Sequence, residues 1–245
     1  MSELLVHCED QVLTLTFNRL PRRNALTGAL YAELADTLAR AEADPGVRAL
    51  VLQGHESVFS AGSDLADTLA HPPLTLQAPI YRFARALATF PKPLLAAVCG
   101  PAVGMGAALL LHCDLVCAGD NAALALPAVH LGLPPEAGAS WLLPGQIGPR
   151  RAAQMLLLGE PVQAEAALEL GLINRLTPPA ECHALTQSLA RRLATRPEAG
   201  LLAAKALLRG GPRQAALLEC IDEEARQTIA LLQEPATQAA LRALA

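Results

Sequence analysis

Two glycine-bearing stretches and one acidic loop hold the residues of this chain that could do chemistry. The first stretch is Phe59-Ser60-Ala61-Gly62-Ser63-Asp64-Leu65. The second is Pro91-Lys92-Pro93-Leu94-Leu95-Ala96-Ala97-Val98, running on into Cys99-Gly100-Pro101-Ala102-Val103-Gly104-Met105-Gly106. Each takes an apolar strand into a glycine turn and then toward a helix, which leaves backbone N–H groups without intrahelical partners. Two such turns facing each other make an oxyanion hole, a pair of donors for negative charge growing on a carbonyl oxygen. The acidic loop is Leu131-Gly132-Leu133-Pro134-Pro135-Glu136-Ala137-Gly138-Ala139-Ser140-Trp141. Glu136 stands there among prolines and glycines, the setting of a positioned loop rather than a solvated face. A glutamate just before a helix also fits a plain interaction with the helix dipole.

The other candidates read as structural. Asp114, after His112-Cys113, sits between a helix and a strand and is expected to be a buried structural acid. His112 and His130 flank apolar segments and read as satisfied core or loop histidines; His55 and His71 fall in loops. No Ser-His-Asp spacing or Gly-x-Ser-x-Gly elbow is present, which disfavours a hydrolase of that type. Cys8, Cys99, Cys113, Cys117, Cys182 and Cys220 are scattered, without a second pair at zinc-finger spacing. They read as reduced thiols, with no metal site.

The elements that must position these residues follow from composition and pattern. The chain has 245 residues, enough for one large domain or a domain with a helical extension. Hydrophobic residues are 52 % and aromatic residues 3 %, so the core must be built from Ala, Leu and Val. Charged residues are 17 %, below the usual ~25 %, which leaves apolar helix faces to spare and favours self-association. The net charge is −4 with no basic tract, so nucleic acid is not an expected partner. Met1-Ser2-Glu3-Leu4-Leu5 lacks the basic flank and apolar run of an export signal, and Ala107–Leu111 is too short an apolar run to span a bilayer. A cytoplasmic protein with no membrane association is expected.

Leu4–Val6 and Val12–Phe17 alternate across Glu9-Asp10 and read as a hairpin. After the polar turn Asn18–Ala25, Thr27 can cap a helix carrying Leu30, Leu34 and Leu38, which Asp44-Pro45-Gly46 ends. Strands are expected at 48–53, 94–98, 114–118, 122–126 and 173–176, with helices at 76–89, 104–112 and 164–170. Alternating β and α elements argue for parallel strands with crossover helices. Helices then fill 180–194, 197–209, 212–233 and 235–243, several of them starting at proline.

The two glycine turns, in this order and between these elements, resemble those of the crotonase superfamily (enoyl-CoA hydratase/isomerase). The likeness runs from about Leu13 to Leu176 and more loosely to the C-terminus. It implies an α/β fold, the ClpP/crotonase spiral of ββα units with a C-terminal helical subdomain. The division expected is a core with the CoA-thioester site over residues 1–190 and a trimerisation subdomain over 191–245. The resemblance makes the Ser63 N–H one oxyanion donor and the Met105 N–H the other, although the family usually has Gly at the second position. Hydratases of the family use two Glu to hold and split water, and those positions here are Ala108 and Ala128, which cannot carry a proton. Glu136, however, is similar in place to the single acid/base of one branch of enoyl-CoA isomerases, which have Pro-Glu-Gly or Pro-Asp-Ala-Gly there.

One carboxylate suffices to move a double bond from carbon 3 to carbon 2 of an acyl thioester, because no water need be activated. Such a base against an apolar wall has its pKa raised, which suits proton transfer near neutrality. The CoA handle would lie against Arg22, Arg23 and Ala25 and against Ala61, Ser63, Asp64 and Leu65. Lys205 matches a position that often reaches the CoA phosphate of a neighbouring subunit in a trimer, or in a hexamer of two trimers. CoA arrives as part of the acyl-CoA substrate, so no resident cofactor is implied. A hydratase using other groups and a catalytically silent acyl-CoA-binding homologue are the competing readings. A Glu136 turned to bulk solvent would favour the silent one. With Ala108 and Ala128 in place of the water-activating pair, hydration of crotonyl-CoA, followed by loss of the enoyl absorbance, is expected to run at least about tenfold slower than isomerisation of a 3-enoyl thioester.

Overall fold

The computed structural model describes residues 2–245. The expected hairpin is formed by β1 (Leu4–Glu9) and β2 (Val12–Phe17), which turn through Asp10 and Gln11, both at positive φ. β2 then pairs in parallel with β3 (Ala49–Gln53), β3 with β4 (Leu94–Val98), β4 with β6 (Leu115–Gly119), and β6 with β9 (Arg175–Thr177). The short strands β5 (Pro101–Val103), β7 (Ala123–Ala125) and β8 (Val162–Gln163) make a second sheet in the order β5-β7-β8. Two parallel bridges, Leu26 to Ser63 and Ser60 to Ala102, bring the preceding turns alongside it.

The result is a spiral in which the chain repeatedly runs through a strand of the large sheet, crosses to the small sheet or its extension, and enters a helix. Structure and sequence agree on a crotonase-like α/β spiral. Helices α1 (Gly28–Ala43), α2 (Leu65–Ala70), α3 (Pro79–Thr89) and α4 (Met105–Ala108) follow the successive turns. Thr27 caps α1 through its hydroxyl to the Leu30 N–H, and Leu30, Leu34 and Leu38 are buried in one stripe. Lys92 closes the other end of α1 by donating to the Ala41 and Asp44 carbonyls.

Three local differences from the sequence pattern have physical causes. Pro101–Val103, which reads as turn, is the strand β5, because tertiary pairing with β7 overrides the Gly-Pro signal. The helical run from Gly104 to His112 is one α turn, α4, tightened into a 3-10 turn at Leu109–His112. α5 (Ala139–Ile147) is the helix expected after Glu136, to which the pattern gives no bounds, and α6 (Pro149–Leu158) has no counterpart in it. Pro144 and Gly145 argue against helix there, but burial of Leu143 and Ile147 in the main core holds α5 in place.

After α7 (Ala164–Glu169), α8 (Pro179–Ala194) lies on one face of the large sheet, where Cys182, Ala190 and Ala194 pack on Val51, Leu95 and Cys117. The expected boundary at residue 190 falls inside this helix. α9 (Glu198–Arg209), α10 (Gly211–Leu231) and α11 (Pro235–Leu244) complete the chain. No helix of the described residues is long and apolar enough to cross a membrane.

Lys205, on α9, is tied within its own chain rather than left a free cation. Its ammonium donates to Asp114 Oδ2 (2.6 Å) and the Lys92 carbonyl (2.5 Å), 5.7 Å from the centre of the Phe90 ring, and the residue is 7 % exposed. Asp114, expected as a buried structural acid, is structural but exposed, and it also accepts the Leu94 N–H at the start of β4. Burial lowers the Lys205 pKa to about 8, with Asp114 opposing the shift. A desolvated ammonium needs a carboxylate partner, so the sequence-remote α9 is tied to the sheet by this pair. Lys205→Met is expected to cost about 3 kcal/mol in denaturant unfolding while leaving the KM for a CoA thioester in place; a raised KM at unchanged stability would favour the phosphate role.

Candidate active site

The two glycine turns are brought into direct contact. Ser60 donates its N–H to the Pro101 carbonyl (3.2 Å) and accepts the Val103 N–H (2.9 Å). Gly62 has φ +82°, and a Cβ there would stand 2.5 Å from the Val103 carbonyl oxygen and 3.3 Å from the Met105 nitrogen. Only glycine meets both demands, positive φ and the close backbone approach. Two residues without a motif lock the first turn. The buried Asn24 donates to the Val58 and Phe59 carbonyls, and the Ser60 hydroxyl donates to the Asn24 carbonyl while accepting the Gly62 N–H.

Past this junction the Ser63 N–H donates to no protein atom among the described residues. The Ser63 hydroxyl is bonded to the Tyr31 hydroxyl of α1 at 2.8 Å. The Met105 N–H, at the first residue of α4, lies beside the Glu136 carboxyl and favours its ionised form. A cavity of about 270 Å³ opens here, and Ala61, Ser63, Leu65, Gly104, Ala128 and Glu136 all border it. Ile80 and Tyr81 of α3, His130, Leu131 and Leu133 supply more of the wall. Thr228 of α10, Leu232 just beyond it, and Leu241 and Leu244 of α11 complete it. The segment expected only to assemble subunits therefore also walls the cavity of its own chain.

Glu136 is half-buried and lies in the loop leading to α5. Its pKa is pushed up to about 7, first by burial and then by the nearby Glu224, while the Met105 N–H pulls the other way. Burial, and then the Glu136 charge, raise the Tyr31 and Tyr81 hydroxyls well above their usual range, so both stay protonated. The loop is fixed at Ala137, which has φ +56° and whose carbonyl accepts a hydrogen bond from His112 Nε2 at 2.7 Å. Burial lowers the His112 pKa to about 4, so the ring is neutral above that pH and donates through Nε2. Ala108 is buried and Ala128 borders the cavity, and neither supplies a carboxylate.

Several residues expected near the CoA handle lie outside the cavity wall. Arg22 and Arg23 are exposed on the turn before α1, where the Arg23 carbonyl accepts the Ala61 N–H. Ala25 is buried, and its carbonyl receives Arg19. The Asp64 side chain is committed elsewhere: it pairs with Arg19 (2.6 Å) and caps α2 through the Asp67 N–H. Burial pushes Asp64 up, but the Asp67 N–H and Arg19 leave it below the usual carboxylate range. Tyr31, Tyr81 and Glu224 are absent from the sequence reading, which names Asn24 only within its turn and gives its side chain no role. Only Asn24 had a local signal, its place in a polar turn. Among the described residues no group of three His, Cys, Asp or Glu is placed to hold a metal ion.

Comparison with known proteins matches this architecture to a single family. The model described as enoyl-CoA hydratase/isomerase matches residues 7–243, and the chain belongs to that family. It is 40 % identical over 210 residues to a 1,2-epoxyphenylacetyl-CoA isomerase of Escherichia coli (strain K12), covering 82 % of this chain and 79 % of that protein. It is 38 % identical over 211 residues to a 2,3-dehydroadipyl-CoA hydratase of the same organism, covering 85 % and 82 %. Among solved structures it resembles Pseudomonas aeruginosa OdaA with a TM-score of 0.96 at 39 % identity, over 100 % of this chain and 99 % of that one.

The raised Glu136 pKa has a consequence for stability. The folded chain holds this proton up to about pH 7, whereas an unfolded glutamate releases it near 4.5. Stability from this group is therefore full below about pH 4.5, declines as the pH rises toward 7, and stays reduced above it. Glu136→Gln keeps the shape and removes the charge. The variant is expected to melt about 5 °C above the wild type at pH 8 and within about 1 °C of it at pH 4.5, as read by calorimetry on both proteins.

Proposed function

We propose that the chain is an enoyl-CoA isomerase that moves the double bond of a 3-enoyl-CoA thioester to the 2-position, with Glu136 as the single acid/base. The observation that carries this reading is the shared cavity, in which a proton-holding carboxyl borders the same space as the Ser63 and Gly104–Met105 turns. A Glu136 facing this cavity also speaks against the silent acyl-CoA-binding alternative.

The chemistry follows from these groups. Ionised Glu136 takes a proton from C2, and the electron pair moves into the thioester, where the Ser63 and Met105 N–H groups hold the charge on its oxygen. The carboxylic acid so formed returns its proton at C4, the double bond settles between C2 and C3, and no proton is gained or lost overall. The Met105 N–H serves twice. In the free chain it lies beside Glu136 and makes that carboxyl more acidic. A thioester oxygen that takes over this donor leaves Glu136 more basic at the moment a base is needed. The mostly aliphatic walls, Leu65, Ile80, Leu131 and Leu133 among them, suit an apolar acyl group. In the same reading Arg22 and Arg23, on the turn joined to Ala61, meet the CoA phosphates.

Glu136→Gln is expected to lower isomerase kcat by ~10²–10⁴ with little change in thioester affinity, and wild-type kcat/KM, which follows the free chain, should rise with pH and level off above about 7. Steady-state rates across pH 5–9 on a panel of 3-enoyl thioesters, with proton exchange at C2 as a second readout, test both statements; full activity in the variant would end the assignment.

A further inference from the structure

Glu224 is a buried carboxylate whose role the sequence does not announce. It lies on α10, 7 % exposed, and faces the loop that carries Glu136. Its Oε2 accepts the Gly138 N–H at 2.6 Å, and its Oε1 accepts the Ser140 N–H at 3.0 Å and the Ser140 hydroxyl at 2.6 Å. The Cys220 thiol lies one turn back, 3.8 Å from Oε1. These bonds grip the first residues of α5 two and four positions after Glu136. Gly138 has φ +77°, and a Cβ there would stand 2.4 Å from Leu217 Cδ1, so α10 presses directly on the turn. A small chamber separates the two carboxyl groups, and both border it together with Tyr81, Met105, Ile221 and Thr228.

We propose that Glu224 is a positioning residue for Glu136, fixing the turn that aims it and, by its charge, making it the stronger base. This inference rests on the reading of Glu136 as the acid/base. The surroundings of Glu136 leave Glu224 as the charge that counts. Tyr31 of α1 and Tyr81 of α3 stay protonated, and His112 is neutral and bonded to Ala137. His130, on the cavity wall, is bonded to the Leu158 carbonyl, and Asp67 of α2 binds the Gly28 N–H. Arg85 of α3 is spent on Asp222 of α10. Among the described residues no Lys or Arg borders either the cavity or the chamber. A carboxylate beside Glu136 with no cation between them disfavours a second negative charge.

The test uses Glu224→Gln and Glu224→Asp in the full chain, with two readouts. The first is kcat against pH. Glu224→Gln keeps an acceptor and removes the charge, so the acidic limb should move at least about half a pH unit lower. Glu224→Asp keeps the charge on a shorter arm, so the limb should stay in place while kcat falls about tenfold with KM little changed. The second readout is the melting gain of Glu136→Gln against pH, measured with and without Glu224→Gln. The gain should be smaller, and complete at lower pH, once Glu224 has lost its charge.

An acidic limb and a melting gain that ignore Glu224→Gln would overturn the electrostatic role, and unaltered kcat in Glu224→Asp would overturn the positioning role. Should Glu224→Gln fail to fold, the Asp variant decides: a limb that moves as far as kcat falls would mean that charge plays no part. Full activity in Glu136→Gln would end the isomerase reading instead, and the melting data, which need no turnover, would still judge the coupling.

Discussion

The contact between the backbones of the two glycine turns is the constraint on which the rest of the site depends. Ser60 donates to Pro101 and accepts from Val103 across it, and the missing Cβ of Gly62 leaves room for the Val103 carbonyl. Any side chain at residue 62 would force the turns apart and separate the Ser63 N–H from the Met105 N–H. The large sheet sets this approach from below. β3 and β4 are neighbours in parallel register, so the segments leaving their C-terminal ends emerge side by side. Binding sites at the carboxyl ends of parallel strands have this origin in general. Here the second sheet sharpens it, because the Ser60–Ala102 bridge continues the pairing of β5 with β7 into the first turn.

A carboxyl that must hold a proton near neutrality has to be kept out of water without being left loose. The loop around Glu136 meets both requirements through strain offset by anchors. Ala137 and Gly138 both adopt positive φ, a conformation that costs alanine of the order of 1 kcal/mol. The neutral imidazole of His112 fastens one side of the turn and the carboxylate of Glu224 the other. These anchors come from parts of the chain far apart in sequence, the 3-10 turn after α4 and the middle of α10. The same C-terminal helices supply the far wall of the cavity. Folding of the last third of the chain is therefore part of building the site.

Much of this was legible in the primary structure. Thr27 as a cap, the Leu30-Leu34-Leu38 stripe and the alternation of strands and helices depend on local pattern, and the folded chain follows them. The glycine turns were legible because positive φ and close backbone approach leave few alternatives to glycine. That residues 108 and 128 are alanines is read from the sequence, and that the water-activating pair would stand there is what the family resemblance implies. Less legible were α5, whose Pro144 and Gly145 argue locally for a break, and β5, whose pairing partner lies in a later strand.

What the sequence by itself determined was the parts: parallel strands, two turns that leave N–H groups free, and one acid in a stiff loop. Their combination was decided only by tertiary structure. The hydrogen bond from Gly138 to Glu224 spans 86 positions, and that from Lys205 to Asp114 spans 91. Neither residue pair is marked by spacing or neighbours, because a helix surface shows its charged residues identically whether they will face water or a partner. Burial distinguishes them. It makes Lys205 an internal tie, and turns Glu224 from one acid among several on α10 into a group facing Glu136, since charges removed from water must find partners or change protonation.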